Sequence, residues 1–272
     1  MTRNLPIGVF DSGVGGLTVV RSLMRQLPRE RVVYFGDTAR VPYGIKGEDT
    51  IRRYATQIVR FLMAQDIKVL IVACNTMAAV ALDRIAEEAG NVPVIDVITA
   101  GAEHAASRTD GRPIGVIGTT ATIRSGAYER AIRRLRPDAA VRSAACPLLV
   151  PLVEEGWLDH QVTTLVAQEY LDGLLADGIG SLVLGCTHYP LLKPLLRRVV
   201  GDRAELVDSA DVTAAKAAAL LEALHLENRS DASPSHQVFV TDVPQRFREV
   251  GERFLGAPLT DVQVVSLDEA GV

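Results

Sequence analysis

Short apolar runs alternate with longer segments in which apolar residues recur at helical spacing. An apolar run of about four to eight residues is typical of a strand buried on both faces of a parallel sheet, whereas the helical period predicts a helix. Strands are predicted at residues 7–10, 32–35, 69–72, 92–97, 114–117, 182–184, 206–208, 237–241 and 261–267, with another around Val141. Helices are predicted at residues 17–27, 51–65, 77–89, 98–108, 126–135, 161–176, 191–200, 211–224 and 244–254. This alternation of strand and helix predicts an α/β fold.

Two stretches of the chain resemble each other. KVLIVACNT (68–76) and SLVLGCTHYP (181–190) each combine an apolar strand with a small residue and then a cysteine, Cys74 or Cys186. The strands expected to open the two halves also match, since one reads IGVFDSGVGG and the other IGVIGTTATI. Ligands bind at the carboxyl ends of the strands in open α/β sheets. The matched halves therefore predict a duplicated α/β unit with both thiols facing one cleft.

The predicted architecture is two Rossmann-like, doubly wound α/β domains related by pseudo-symmetry, with the active site in the cleft between them. Residues 1–97 together with 209–272 are expected to form the first domain, and residues 98–208 the second. The polar loop 227–235 is the best linker candidate, because it is rich in residues that favour turns. The strand, helix and strand predicted after this loop are expected to complete the first domain.

Composition narrows the classes of function. The chain has 272 residues, 48% of them hydrophobic and 23% charged, with a net charge of −4. This balance offers no general basic field to nucleic acid or to an anionic membrane. No apolar run reaches the roughly 18 residues of a membrane span, and the N-terminal residues lack the apolar region of a signal peptide. Three cysteines are too few for a disulfide framework, so we expect a cytoplasmic protein with reduced thiols.

Several polar turns are candidates for substrate contacts. The glycine-rich turn 11–16 lies between the first strand and the first helix, where free backbone N–H groups favour a small anion such as a carboxylate. It lacks the spacing of a dinucleotide fingerprint and the Gly-Lys-Ser/Thr of a P-loop. Thr119 and Thr120 lie in a hydroxyl-rich turn, predicted at 118–126, that opens the second half. Glu154 follows an apolar run, which makes a functional carboxylate plausible there.

Two thiols facing one cleft are compatible with metal binding, redox chemistry, acyl transfer or proton transfer. Neither a CxxC pair nor a Cys/His cluster with zinc spacing occurs, so no metal site is predicted. Acyl transfer would leave one thiol idle. Proton transfer uses both thiols, because one thiolate removes a proton from a substrate carbon while the other thiol delivers one to the opposite face. The residues alone therefore favour a cofactor-free racemase or epimerase. Cys146 has no counterpart in the other half and is expected in the core.

Five motifs together resemble the glutamate racemase family, a branch of the cofactor-independent aspartate/glutamate racemases. They are FDSGVGG (10–16), VPYG (41–44), ACNT (73–76), PLVEEG (151–156) and GCTHYPLL (185–192), within a resemblance that runs from about residue 5 to 210. The resemblance implies interconversion of L- and D-glutamate for peptidoglycan without a cofactor. We also expect a homodimer. It makes Cys74 and Cys186 the acid/base pair, assisted by Asp11, Glu154 and His188. It also implies substrate contacts from Asp11, Ser12, Tyr43, Gly44, Asn75, Thr76, Thr119, Thr187 and His188.

Three other interpretations remain open from the sequence. An aspartate racemase would share the two-thiol site and differ in pocket length. A pyridoxal-phosphate racemase needs a Schiff-base lysine, and none of the four lysines is predicted at a strand-end turn (Lys46, Lys68, Lys193, Lys216). A non-catalytic two-lobed binding protein would explain the cleft but not the matched thiols. Met77 stands where the family often has Ala or Ser, for which we expect a local packing change only.

Overall fold

A computed structural model of the protein describes residues 2–267. Its strands are β1 (Ile7–Asp11), β2 (Val32–Gly36), β3 (Val69–Val72), β4 (Val94–Asp96), β5 (Ile114–Gly118), β6 (Val141–Ala145), β7 (Ser181–Gly185), β8 (Glu205–Asp208), β9 (Gln237–Val240) and β10 (Val262–Val264). Its helices are α1 (Leu17–Gln26), α2 (Glu48–Met63), α3 (Asn75–Ala89), α4 (Val97–Arg108), α5 (Thr120–Arg124), α6 (Ala127–Leu135), α7 (Leu149–Glu154), α8 (Gln161–Ala176), α9 (Lys193–Val200), α10 (Ser209–Ala223) and α11 (Pro244–Leu255). Short 3₁₀ turns occur at Thr38–Arg40, Tyr43–Ile45, Tyr189–Leu192 and Gly201–Arg203.

The strands form two parallel sheets, ordered β10-β9-β2-β1-β3-β4 and β6-β5-β7-β8. The order 2-1-3-4 of the first half thus recurs as 6-5-7-8 in the second, so β1 corresponds to β5 and β3 to β7. This repetition confirms the predicted pair of doubly wound α/β units. Strands β9 and β10 extend the first sheet beside β2, so the last segment does return to the first unit.

The central strands are apolar because they are covered on both faces. Every residue of β1, β3, β5 and β7 is buried, and the buried apolar side chains of both sheets belong to one continuous cluster. Burying a strand on both faces requires apolar residues at consecutive positions rather than at alternate ones. The chemistry is therefore confined to the strand ends. The domain bounds 1–97 plus 209–272 and 98–208 stay a prediction.

Local departures from the sequence prediction have identifiable causes. The predicted turn at 118–126 contains helix α5, because Thr119 acts as its N-cap and its Oγ1 accepts a hydrogen bond from Thr122 N at 3.3 Å. Strand β4 ends before the predicted residue 97, because Asp96 caps α4 by accepting hydrogen bonds from the next turn. Helix α3 begins two residues earlier than predicted, at Asn75. Its first turn therefore belongs to the site.

The two units meet at the ends of their strands. Thr18 Oγ1 of α1 donates a hydrogen bond to the carbonyl of Thr187 at 3.1 Å, and Thr76 Oγ1 lies 3.2 Å from Thr119 Oγ1. The hydroxyl contacts hold the carboxyl ends of both sheets around a common cleft.

Across residues 2–267 no helix combines the length and apolarity needed to cross a membrane.

Candidate active site

Both predicted thiols lie directly after matching strands. Cys74 follows β3 and precedes α3, and Cys186 follows β7. The two side chains line one cavity of about 460 Å³ between the sheets. They are 4% and 5% exposed, so each reaches the cavity from an otherwise buried position. The structure thus brings together two cysteines that are more than a hundred residues apart in the chain.

All the side chains expected at the site line this same cavity. They are Asp11, Ser12, Tyr43, Gly44, Cys74, Asn75, Thr76, Thr119, Glu154, Cys186, Thr187 and His188. The third cysteine, Cys146, is fully buried in the core as predicted. The residues singled out in the sequence thus meet at one cavity, and their assignment to an active site stays a prediction.

The Cys74 thiol lies in a setting that disfavours its ionised form. Burial raises the pKa of Cys74 to about 12, and the nearby Asp11 carboxylate adds to this effect. The Cys74 thiol donates a hydrogen bond to Ser12 Oγ at 3.7 Å, and hydrogen bonding with Ser12 and with the backbone of Met77 opposes the rise in pKa. Cys74 is consequently a protonated thiol at neutral pH, as a proton donor requires.

Cys186 lies beside a different group. Its Sγ is 3.9 Å from His188 Nδ1, and His188 Nε2 is 2.9 Å from Glu154 Oε1. Burial alone lowers the pKa of His188, but hydrogen bonds with Cys186 and Glu154 outweigh it and raise the pKa to about 10. The hydrogen bond from His188 in turn lowers the pKa of Glu154, against the effect of burial. His188 therefore carries a positive charge at neutral pH, directly beside the Cys186 sulfur.

Polar groups beside Cys74 form an anion-binding corner. Asn75 is 3% exposed, and its Oδ1 accepts a hydrogen bond from Tyr128 at 2.8 Å. Its Nδ2 is buried and finds no hydrogen-bond partner among residues 2–267. A buried donor left unpaired is costly, so it points to a group supplied by a ligand. The N-terminus of α3 and the hydroxyl of Thr76 lie at the same corner, which suits a carboxylate.

Comparison with known proteins agrees with this geometry. The sequence profile described as Asp/Glu/Hydantoin racemase matches residues 7–217. The chain is 59% identical to the glutamate racemase of Syntrophus aciditrophicus, over 96% of this chain and 97% of that protein. It is 55% identical to the glutamate racemase of Neisseria meningitidis serogroup A, over 97% and 98% of the respective chains. The crystal structure of Francisella tularensis glutamate racemase in complex with D-glutamate matches with a TM-score of 0.93 and 43% identity, covering 98% of this chain and 99% of that one.

The chain belongs to the Asp/Glu/hydantoin racemase family. It is an isomerase, and the resemblance inferred from its motifs is confirmed. The loop 37–45 of this racemase lines the cavity and lies close to the other unit. A Cβ added at Gly44 would lie 3.4 Å from Thr119 Cβ.

The sequence analysis did not identify the residue that anchors the loop 37–45. Asp37 follows β2, is fully buried, and accepts hydrogen bonds from Arg40 Nε at 2.7 Å and Thr241 Oγ1 at 2.9 Å. Tyr43 also donates its hydroxyl hydrogen bond to Asp37. The available signal was a carboxylate placed at the carboxyl end of a predicted strand, the same position that drew attention to Asp11.

The apolar wall of the cavity was also missed. It is formed by Val41, Pro42, Ile45, Pro147, Val150 and Pro151. Its second half comes from helix α7 and the turn before it, where the sequence pattern indicated only an apolar run. Seating a short helix against the cavity places Glu154, at the end of that helix, within reach of His188.

Proposed function

We propose that this racemase interconverts L- and D-glutamate without a cofactor, with Cys74 and Cys186 as the acid/base pair. The observation that carries the proposal is the placement of two buried thiols at matching strand ends of a duplicated fold, where both line one cavity. Glutamate is favoured because relatives that match nearly the whole chain at 50–59% identity are named glutamate racemases. The anion-binding corner beside Cys74 suits a substrate carboxylate.

The reaction consists of two proton transfers on opposite faces of the substrate α-carbon. One cysteine thiolate removes the α-proton and becomes a thiol, leaving a carbanion stabilised by the neighbouring carboxylate. The other thiol then delivers its proton to the opposite face and becomes a thiolate. Atoms and charge balance, and the stereocentre is inverted.

The resting enzyme is prepared for one of the two directions. With Cys74 protonated and His188 positively charged beside Cys186, Cys186 acts first as base and Cys74 as acid. Turnover leaves the opposite pattern of protonation. The reverse reaction, or proton exchange with solvent, then restores the resting form. In this scheme Asp11 assists Cys74, while Glu154 and His188 assist Cys186.

The remaining cavity residues are proposed to hold the substrate. Asn75 Nδ2, the Thr76 hydroxyl and the backbone N–H groups of α3 bind one carboxylate. Ser12, Tyr43, Gly44, Thr119 and Thr187 are proposed to contact the rest of the molecule, with Asp11 and His188 near its ammonium and carboxylate groups. The proposed physiological role is supply of D-glutamate for peptidoglycan precursors in the cytoplasm, by a homodimeric enzyme.

The direct test uses dialysed protein with L-glutamate and no added cofactor. We expect optical rotation to fall to zero as the racemate forms, with D-glutamate verified by chiral chromatography. L-Aspartate in a parallel sample separates the aspartate alternative. If optical rotation persists with glutamate but disappears with aspartate, aspartate is the substrate instead. If it persists with both, the protein racemises neither acid and the proposal is wrong.

A further inference from the structure

Helix α11 connects β9 and β10 of the first sheet, and it also contacts the second unit. It follows β9 and packs closely on α1, since a Cβ added at Gly251 would lie 2.9 Å from Leu17 Cδ1. The last turn of this helix also contacts residues that flank the Cys186 half of the cavity. No motif in the sequence assigned a role to this segment.

The first contact holds the end of helix α7. Arg253 Nη1 donates hydrogen bonds to the carbonyl of Glu154 at 2.9 Å and to that of Val153 at 3.3 Å. Carbonyls at a helix C-terminus have no intrahelical partner, and a cation there is favourable. Gly156, which has a φ of +79°, lies close beneath the same guanidinium, where an added Cβ would be 3.0 Å from Arg253 Cζ. Arg253 thus fixes the backbone from which the Glu154 side chain extends.

The second contact holds the imidazole. The ring of Phe254 meets the ring of His188 edge-on, with the centroids 5.0 Å apart. Phe254 is fully buried, so it closes one side of the histidine to water. Glu154 Oε1 lies 2.9 Å from Nε2 of the same ring, and Cys186 Sγ lies 3.9 Å from its Nδ1. Neighbouring residues of one helix therefore reach both partners of the pair that faces Cys186.

We propose that Arg253 and Phe254 are positioning residues, which act on Cys186 through Glu154 and His188. The proposal rests on the proposed function for its kinetic consequence. Arg253 fixes the position of the Glu154 carboxylate through the backbone of α7. Phe254 fixes the orientation of the imidazole between that carboxylate and the Cys186 sulfur. The first unit thereby contributes to the thiol of the second, which couples the seating of α11 to the acid/base chemistry.

The test compares Arg253→Met with Arg253→Lys and with Arg248→Met, an exposed arginine of the same helix. Because Arg253 is exposed and its contacts are screened by solvent, we expect Arg253→Met to lower kcat/KM by only ~3- to 10-fold. Arg253→Lys should recover part of the loss, and Arg248→Met should match wild type. In a Glu154→Gln background, adding Arg253→Met should cost less than twofold, since the group through which it acts is already altered.

A second readout needs no turnover. The imidazole NMR signal of His188, assigned by its loss in His188→Asn, should titrate at lower pH in Arg253→Met and in Phe254→Leu than in wild type. Full additivity of Arg253→Met with Glu154→Gln, or an unchanged His188 titration, would overturn the positioning role. If wild-type protein fails to racemise glutamate while the NMR shift appears, the proposed substrate is wrong and the positioning contact stands.

Discussion

The charges beside the two thiols differ although the halves are matched. The Asp11 carboxylate helps to raise the pKa of Cys74, whereas Cys186 lies beside the imidazole of His188, whose own pKa is raised to about 10. The repeated fold thus supplies two equivalent positions, and the residues around them give the two thiols different electrostatic surroundings. Two predictions follow from individual side chains.

Cys74→Ser and Cys186→Ser should each abolish most racemisation in both directions. A hydroxyl is a far weaker acid than a thiol, and general acid–base catalysis contributes about 10²- to 10⁴-fold, so we expect losses of that size in kcat with smaller changes in glutamate affinity. Stopped-time chiral chromatography and isothermal titration measure the two quantities. Cys146→Ala is the control, because that thiol lies in the core. Near-wild-type kcat in either serine variant would remove that cysteine from the acid/base pair.

The second residue-scale prediction concerns pH and the stability contributed by His188. Its pKa rises from 6.5 in the unfolded chain to about 10 in the folded protein. The stabilisation from the protonated ring is therefore complete below about pH 6.5 and is lost as the pH rises to about 10. Urea unfolding of wild type and His188→Gln should give a stability gap that shrinks by up to about 1.4 kcal/mol per pH unit across this window.

The control for this experiment is His104→Gln, in helix α4. It reports any change in unfolding free energy that arises from replacing a histidine outside the cavity. A gap between wild type and His188→Gln that stays constant from pH 6 to pH 10 would show that the folded protein does not hold the additional proton on His188.

Turns and loops position the site at the scale of secondary-structure elements. The glycine-rich turn after β1 lies against the turn after β7, so closely that a Cβ on Gly15 would be 2.1 Å from Thr187 Oγ1 and 2.7 Å from His188 Nδ1. The backbone of one unit therefore touches the reactive turn of the other. Glycine is required here by space, and the spacing of glycines in the sequence alone did not reveal which of them meets the second unit.

Gly15→Ala should displace the Cys186 turn. Overpacking at such a contact costs about 1–3 kcal/mol of stability. Displacement of His188 should lower kcat/KM by more than the loss of folded protein at the assay temperature accounts for. Gly173→Ala is the matched control, since a Cβ there meets nothing within 4 Å and alanine favours the helix. Wild-type kcat/KM in Gly15→Ala would show that the two turns move apart without affecting the chemistry.

The loop 37–45 should depend on its buried anchor. Asp37→Asn removes the charge that Arg40 and Tyr43 share, so we expect the loop to loosen and the KM for glutamate to rise ~10-fold or more, with a smaller change in kcat. Steady-state kinetics separate the two constants. Tyr43→Phe should reproduce part of the effect. Tyr54→Phe, at a ring whose centroid lies 5.7 Å from that of Tyr43, should leave the KM unchanged. A fall in kcat at constant KM would assign Asp37 to the chemical step instead.

The whole molecule is organised as two sheets whose carboxyl edges face each other. Contacts between the units surround the cavity, including those from Thr18 to Thr187 and from Arg253 to Glu154. Each unit supplies one thiol, and in the proposed mechanism each enantiomer therefore presents its α-hydrogen to a different half. This arrangement has a consequence for isotope labelling.

Racemisation of L-glutamate in deuterated water should place deuterium mainly in D-glutamate at early times, because the delivering thiol exchanges with solvent while the removed proton leaves on the other sulfur. The same experiment from D-glutamate should label the L-enantiomer. Chiral separation followed by mass spectrometry measures both pools. Equal early labelling of substrate and product would indicate a single base that exchanges freely with solvent.

The sequence by itself determined the α/β class, the duplication and the candidate site. Apolar runs that end in Cys74 and Cys186, and the turn at 11–16, are local patterns, and in parallel sheets the strand ends are where local sequence and function coincide. Helices α5 and α7 escaped prediction because they are short, and their stability comes from packing rather than from a long apolar period.

Tertiary structure alone decided which side chains act together. Asp37 binds Tyr43 and Thr241, and Arg253 binds the carbonyl of Glu154 about a hundred residues away along the chain. No periodicity records such pairs, because they depend on how the two sheets pack against each other. The differing charges beside the matched thiols arise in the same way, since burial and long-range neighbours, rather than residue type, set the pKa of Cys74 and of His188.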